Sequence, residues 1–83
     1  MVDEPLIKDE LIISQLKNKD QRAIKAILDK YGSTLYGTIY RKVQSEVVAT
    51  EKMKNTFLKV WQNAETFNEQ EERLFNWLLK MTK

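Results

Sequence analysis

The side chains that most often carry enzyme chemistry are largely missing from this sequence. It contains no histidine and no cysteine, so imidazole acid–base catalysis and thiol nucleophiles lose their usual residues, and neither a disulfide framework nor a thiolate metal site can form. The serines Ser14, Ser33 and Ser45 have no candidate base beside them. We therefore expect a binding protein and not an enzyme, with no catalytic residue, metal or cofactor.

The distribution of charge permits a nucleic-acid surface without requiring one. Residues 1–20 carry five acids and three lysines, a net charge of −2, and residues 21–83 carry eleven bases and seven acids, a net charge of +4, which together give the total of +2. A basic bias of this size is compatible with binding to phosphates. It is also typical of an ordinary solvated surface.

The length and composition predict one small all-α domain. The 83 residues include only one proline and two glycines, while residues that favour helices are plentiful. Apolar spacing predicts a compact bundle of about four to five helices, at 5–17, 20–43, 46–63 and 69–82. The longest apolar runs, 11–13 and 77–79, are too short to span a bilayer, and the N-terminus has no signal-peptide pattern. We expect a cytoplasmic protein with no membrane contact.

Caps and apolar stripes set the predicted bounds of the helices. Pro5 fits a first helical turn behind Asp3 or Glu4, and Asn18-Lys19 breaks the first helix. Asp20 and Ser45 are predicted caps of the second and third helices, and Asn68 with Glu71 resembles a capping box for the fourth. The predicted core residues are Ile7, Leu11, Ile12 and Leu16; Ile24, Ile27, Leu28, Tyr31, Leu35, Ile39 and Val43; Ala49, Met53, Phe57, Val60, Trp61 and Ala64; and Leu74, Trp77, Leu78 and Met81.

Two glycines lie within the second helix. Gly32 predicts a bend or kink, and Gly37 predicts a close packing contact, because glycine in a helix interior costs about 0.5–1 kcal/mol relative to alanine and is usually there for a reason.

A second face of the third helix carries Glu51, Lys54, Asn55 and Leu58, at steps of three, one and three residues, away from the predicted core stripe. Single exposed apolar residues such as Leu58 are common on protein surfaces and often have no function. The spacing alone therefore leaves open whether this face binds a partner.

Several motifs, in order and at matching spacings, resemble extracytoplasmic-function (ECF) sigma factors. Residues 19–31, KDQRAIKAILDKY, are similar to the family's opening G-D-x-x-A-F-x-x-L-Y-x-x-Y, and Leu35-Tyr36 matches the L-Y that follows. Residues 49–61, ATEKMKNTFLKVW, align without gaps on A-E-D-x-x-Q-E-x-F-x-x-x-W, and Phe67 with Trp77-Leu78 matches F…W-L. The resemblance covers about residues 10–83.

The resemblance implies that residues 1–83 are the second region of a sigma factor and a piece of a longer protein. This piece does not include the helix-turn-helix of the fourth region. In the family, the D-x-x-Q-E motif faces the clamp helices of the largest subunit of RNA polymerase core. The corresponding residues are Glu51, Lys54 and Asn55, of which only Glu51 keeps its charge type. The resemblance thus implies a polymerase-binding face of Glu51, Lys54, Asn55 and Leu58, adapted to a divergent partner.

The resemblance also implies capture of the promoter −10 element on its non-template strand, with a flipped base read by the loop at 64–73. The candidate DNA-binding residues are Asn68 and Gln70 for base edges, and Lys59, Arg73, Lys80 and Lys83 for phosphates. Glu65, Glu69, Glu71 and Glu72 oppose this assignment, although the last three suit the first turn of the predicted fourth helix. Phe75 and Leu79 can stack on a base, but packing on the first helix or a further segment is favoured, and Trp61 and Trp77 belong to the core by spacing.

Two other binding functions remain open. The first is a helical protein-interaction module without a DNA role, for example a surface masked by an anti-sigma protein, as is common in the family. The second, a helix-turn-helix reader of duplex DNA, is weaker, because no helix pair joined by a short turn presents a basic recognition helix.

Overall fold

Four α-helices and one short 3-10 helix form the computed structural model, which describes residues 7–83. The helices α1 to α4 span Asp9–Lys17, Arg22–Val43, Glu46–Gln62 and Leu74–Met81, and the 3-10 helix Ala64–Thr66 follows α3. Residues 7–83 contain no strand, which confirms the predicted all-α class. No helix in this part of the chain combines the length and apolar character that crossing a membrane requires.

Helix α1 begins later than predicted. The backbone of Lys8 is extended (φ −74°, ψ 151°), so the helix starts at Asp9 and not near residue 5. Asp9 and Glu10 lie in the first turn, where carboxylates stabilise the positive end of the helix dipole. The predicted roles of Asp3, Glu4 and Pro5 lie outside the described residues.

The turn between α1 and α2 uses Asp20 ahead of the helix. The predicted break after Lys17 is confirmed, with Lys19 in the left-handed region (φ 57°). Asp20 Oδ1 accepts the Arg22 amide at 3.0 Å, and the same carboxylate pairs with the Arg22 guanidinium at 2.7 Å. The N-cap of α2 is Gln21, without a side-chain cap bond, so the predicted cap at Asp20 is wrong by one residue and the helix begins at Arg22.

Helix α2 continues for 22 residues through both glycines without a break. Gly32 is buried, and a Cβ placed there would make ordinary contact with Leu28 Cδ2 at 3.6 Å. The predicted close contact at Gly37 is wrong, since the nearest atom to such a Cβ is Arg41 Nη1 at 3.8 Å, the end of a flexible side chain. The helix ends at Val43, and its C-cap Gln44 is a left-handed residue whose amide donates to the Tyr40 carbonyl at 2.7 Å.

Helix α3 begins as predicted, with an N-cap at Ser45. The Ser45 Oγ accepts the Val48 amide at 3.3 Å, which satisfies one of the free donors of the first turn. The buried side of the helix is rotated from the predicted stripe towards Thr56, which is 2 % exposed and donates its hydroxyl to the Lys52 carbonyl. The predicted core residues Met53, Phe57 and Trp61 are only half-buried, while Ala49, Val60 and Ala64 are fully buried.

Helix α4 begins at Leu74, five residues after the predicted start, so the proposed capping box at Asn68 is wrong. Asn68 Oδ1 accepts the Gln70 amide at 2.9 Å, and the Asn68 carbonyl accepts the Glu71 amide at 3.0 Å. These bonds close a turn in place of a first helical turn. The backbone of Arg73 is then extended (φ −77°, ψ 154°), and the helix starts after it.

The core forms where the four helices meet. Its largest fully buried side chains are Ile12, Leu16, Ile27, Leu35, Val60, Leu74 and Leu78. Trp77 is buried as predicted and packs on Phe67, with ring centroids 5.1 Å apart. The predicted burial of two residues is wrong, because Leu11 is 49 % exposed and Leu28 is 45 % exposed. Their neighbours Ile12 and Ile27 are fully buried, so the buried stripes of α1 and α2 are narrower than predicted.

Candidate functional site

The predicted polymerase-binding residues form one exposed face of α3. Glu51, Asn55 and Leu58 follow each other at steps of four and three, and Lys54 lies beside them. All four are exposed, and none forms a side-chain hydrogen bond or ion pair with another described residue. Leu58 is 56 % exposed on this charged helix. The face is therefore free to contact another molecule.

Val47 extends this face by one helical turn and was missed in the sequence. It precedes Glu51 by four residues and is 80 % exposed, more than any other large apolar side chain in the described chain. A cleft next to it is lined by Glu46, Thr50 and Glu51. The step of four from Glu51 is the signal that would have identified Val47. The α3 face, as used below, consists of Val47, Glu51, Lys54, Asn55 and Leu58.

Three of the predicted DNA-binding residues lie in the turns before α4. Asn68, Gln70 and Arg73 are all exposed. The Asn68 side-chain oxygen is already used by the turn, since it accepts the Gln70 amide. Its amide nitrogen forms no hydrogen bond with residues 7–83 and is a free donor. Asn68 thus shapes the loop and offers only half of its hydrogen-bonding capacity to a ligand.

Acidic residues surround Arg73. A groove of about 300 Å³ is lined by Arg73, Ile13 and Leu74 together with the carboxylates of Asp9, Glu10, Glu69 and Glu72. The first turn of α4 contains no acid, so the predicted explanation of these glutamates as helix-dipole residues is wrong. The described residues hold no group of three or more acids arranged to bind a metal ion. This acidic groove repels a phosphate chain.

Lys80 is engaged with the same acidic residues. Its ammonium group lies 2.9 Å from Glu72 Oε1. Glu72 is mostly buried and Lys80 is mostly exposed, with side-chain exposures of 21 % and 62 %. Because the lysine is open to solvent, the pair contributes little to stability. It does neutralise the lysine that was predicted to bind phosphate.

Lys59 and Lys83 meet in a separate groove between α3 and the end of α4. Lys59 Nζ donates to the Lys83 carbonyl at 2.6 Å. The groove has a volume of about 330 Å³. Lys52, which the sequence did not single out, lies on the same wall one heptad before Lys59. The residues lining this α3–α4 groove are Lys52, Asn55, Thr56, Leu58, Lys59, Gln62, Met81, Thr82 and Lys83.

The aromatic residues considered for base stacking are engaged in packing. Phe75 packs on Tyr31 of α2, with ring centroids 5.1 Å apart, and is partly buried against the hydrophobic core. Trp61 is half-buried, and Lys19 Nζ lies 5.0 Å from the centroid of its ring.

Comparisons with known proteins relate the chain to one kind of transcription factor. It is 28% identical over 79 residues to the ECF RNA polymerase sigma factor SigK of Mycolicibacterium vanbaalenii, a match that covers 93% of this chain and 40% of the relative. It is 26% identical over 83 residues to the proteins of the same name in Mycobacterium tuberculosis and Mycobacterium bovis, covering 98% of this chain and 44% of each relative.

The chain therefore spans about two fifths of the length of the curated relatives it matches. No protein-family profile matches it, and no solved structure gives a significant match. The chain is distantly similar to ECF sigma factors across nearly all of its residues.

Proposed function

We propose that this chain is the second region of an ECF-type sigma factor, which docks on RNA polymerase core and captures the −10 element of a promoter as a single strand. The distant similarity to ECF sigma factors supports a role in transcription. The observation that carries the docking half of the proposal is the exposed α3 face, where Leu58 and Val47 flank the charges of Glu51 and Lys54. Strongly exposed apolar side chains beside charged ones are typical of a protein-binding surface.

The partner of the α3 face is the clamp of the polymerase's largest subunit. Glu51 keeps the carboxylate of the family motif, while Lys54 and Asn55 replace a glutamine and a glutamate. Charges at an interface set specificity and association rate more than affinity. The face therefore docks through Leu58 and Glu51, and its altered charges restrict it to a polymerase that complements them.

A titration of the domain against purified bacterial RNA polymerase core tests the docking half. The Glu51→Lys variant should bind at least tenfold more weakly, because the reversed charge faces the partner directly. Glu10→Lys makes the same charge change on α1 and should bind like the unmodified protein. Equal affinity of all three proteins would contradict the proposed docking face.

One observation favours a second function, a helical module that binds only proteins. The loop assigned to base reading borders the acidic groove, and its neighbour Lys80 is paired with Glu72. The salt dependence of binding separates the two functions, because neutralising phosphates releases counterions and gives a steep slope. Strong salt dependence with single-stranded −10-like DNA supports the sigma-factor function. Binding to a protein partner alone, insensitive to salt, supports the interaction module.

A further inference from the structure

We infer that the α3–α4 groove is a phosphate-binding track for single-stranded nucleic acid, with Lys52 and Lys59 as its principal contacts and Lys83 and Lys42 at its edges. The inference rests on the DNA-binding half of the proposed function. It places the strand's backbone away from the loop at 64–73. Lys52 and Lys42 were not among the candidate DNA-binding residues.

The α3–α4 groove has a basic lining. It is lined by Lys52, Lys59 and Lys83 and by no acidic side chain. A small adjoining cavity shares Lys52 and Thr82 and adds Lys42 of α2, again without an acid. The acidic groove around Arg73 has the opposite composition. A polyanion on this molecule is therefore drawn to the α3–α4 groove.

The lysines have hydrogen-bond donors to offer. The ammonium groups of Lys52 and Lys83 form no hydrogen bond or ion pair within residues 7–83. Lys59 gives one hydrogen bond to the Lys83 carbonyl, and a lysine ammonium has three N–H donors. Gln62 lines the same groove without a side-chain hydrogen bond to the described residues, and its amide can donate to phosphate oxygens or to base edges.

Two carbonyls at the end of α4 accept hydrogen bonds from the residues that follow the helix. The Leu79 carbonyl accepts the Thr82 amide at 3.1 Å and the Thr82 hydroxyl at 2.6 Å. The Lys80 carbonyl accepts the Lys83 amide at 3.3 Å. Lys59 donates to the Lys83 carbonyl as well, so these three oxygens repel an anion less than free carbonyls would.

The spacing of the lysines along α3 suits the backbone of a nucleic-acid strand. Lys52 and Lys59 are seven residues apart on α3, a rise of about 10 Å. That distance matches two to three successive phosphates of a nucleic-acid strand, at about 3.4 Å or more per nucleotide.

The test measures the salt dependence of binding to a labelled thymidine strand of about twelve nucleotides, a length within the usual range for single-strand sites. The strand has no −10 sequence, so binding reports the phosphate track alone. Fluorescence anisotropy is followed between about 50 and 200 mM salt. The logarithm of the association constant falls with the logarithm of the salt concentration, and each lysine removed should make this slope shallower by about 0.7. The double variant Lys52→Gln with Lys59→Gln should therefore lose about 1.4 from the slope, and roughly fiftyfold in affinity at the lowest salt.

The matched control is the double variant Lys8→Gln with Lys25→Gln, which removes the same charge from α2 and the segment before α1. It should keep the slope of the unmodified protein. Circular dichroism should show that all variants are folded; if the groove variant is not, Lys52→Gln with Lys83→Gln, which keeps the Lys59 hydrogen bond, replaces it.

Three results would overturn the inference. If both double variants lower the slope equally, the strand responds only to total charge. If the groove variant leaves strand binding intact but weakens binding to polymerase core, the groove contacts an acidic protein surface, while the proposed function stands. If a −10-like strand also fails to bind the unmodified protein, the DNA-binding half of the proposed function fails together with the groove.

Discussion

The ammonium group of Lys19 lies 5.0 Å from the centroid of the Trp61 ring and donates a hydrogen bond to the Trp61 carbonyl at 2.5 Å. This contact joins the turn between α1 and α2 to the last turn of α3. Lys19 makes it from a left-handed backbone (φ 57°), which costs a residue with a side chain about 1–2 kcal/mol. The attraction between the lysine and the ring, about 0.5–1 kcal/mol at an exposed site, partly offsets that cost.

Substitutions at Lys19 should separate the contact from the backbone strain. Lys19→Ala loses the contact and keeps the strain, so its free energy of unfolding should fall by about 1 kcal/mol. Lys19→Gly loses the contact but tolerates positive φ, and should be more stable than Lys19→Ala by about 1 kcal/mol. Urea unfolding followed by circular dichroism measures both.

Gln44 is the matched control for this pair of variants. Its backbone is also left-handed (φ 52°), but its side chain makes no contact of this kind in the described structure. Gln44→Gly should therefore stabilise the protein outright by up to about 1 kcal/mol. Equal stability of Lys19→Ala and the unmodified protein would show that the Trp61 contact contributes nothing.

The junction of α1 and α2 predicts a loss of stability at alkaline pH. Lys30 Nζ lies 2.7 Å from Asp9 Oδ1, and the Tyr31 hydroxyl donates to the same oxygen at 2.8 Å. The hydrogen bond to Asp9 raises the pKa of Lys30 above 10.5. Burial, followed by the bond to Asp9, raises the pKa of Tyr31 above 10.0. The stabilisation is fully present below these ordinary values and is lost as the pH rises through the raised ones.

The free energy of unfolding should consequently fall between about pH 8 and about pH 11, and Asp9→Asn should make that fall smaller. Asp29→Asn is the control, because Asp29 pairs with Lys25 at 3.0 Å on an exposed surface, where such pairs contribute little. Denaturant unfolding at the two pH values measures the difference. A fall of the same size in Asp9→Asn as in the unmodified protein would exclude the Asp9 contacts as its cause.

The sequence predicted the local features of the fold better than those that depend on tertiary contacts. The Ser45 cap and the burial of Ala49 and Val60 could be predicted from the residue types and apolar spacing of α3 alone. The signal at Asn68 was ambiguous, because an Asn with a Glu three residues later fits both a capping box and a closed turn. Packing of Phe67 on Trp77 holds the chain before α4, and the Lys17 ammonium donates to the Phe67 carbonyl. These contacts cross the fold and have no local sequence signal.

The same limit applies to the candidate site. Exposure of Glu51 and Leu58 could be predicted from helical periodicity alone. The acidic groove joins Asp9 to Glu69, and the α3–α4 groove joins Lys52 to Lys83. Residues so far apart in the sequence meet only through the packing of the helices. The predicted phosphate contacts therefore lay near both ends of α4, and the sequence did not show that these ends border two different grooves.

The two leucines Leu58 and Leu78 should respond very differently to truncation. Leu78 is fully buried, whereas Leu58 is 56 % exposed. Leu78→Ala removes core contacts and leaves a cavity, so the free energy of unfolding should fall by about 2–5 kcal/mol. Leu58→Ala should change it by no more than about 0.5 kcal/mol, while weakening binding to polymerase core. A large loss of stability in Leu58→Ala would mean that Leu58 is a packing residue and not a docking residue.

The turn at Asn68 should depend on its side-chain oxygen. Asn68→Ala removes the acceptor of the Gln70 amide, so hydrogen exchange at that amide should accelerate to the rate of an unprotected loop. Asn68→Asp keeps an acceptor oxygen in the same place and should retain the protection. Thr66→Ala, in the preceding 3-10 helix, is a control that leaves this turn intact. Unchanged exchange in Asn68→Ala would show that the turn is held by its backbone bonds alone.

The pair of Lys80 and Glu72 predicts a gain of function on removing an acid. Glu72→Gln removes the partner 2.9 Å from the Lys80 ammonium and one of the four carboxylates that line the acidic groove. Lys80 then becomes available to a phosphate, and the salt slope for a single strand should steepen by about 0.7. Affinity at about 50 mM salt should rise severalfold. Glu46→Gln makes the same charge change at the start of α3, far along the chain from α4, and should alter neither quantity. If Glu72→Gln binds the strand no better than Glu46→Gln, Lys80 takes no part in strand binding.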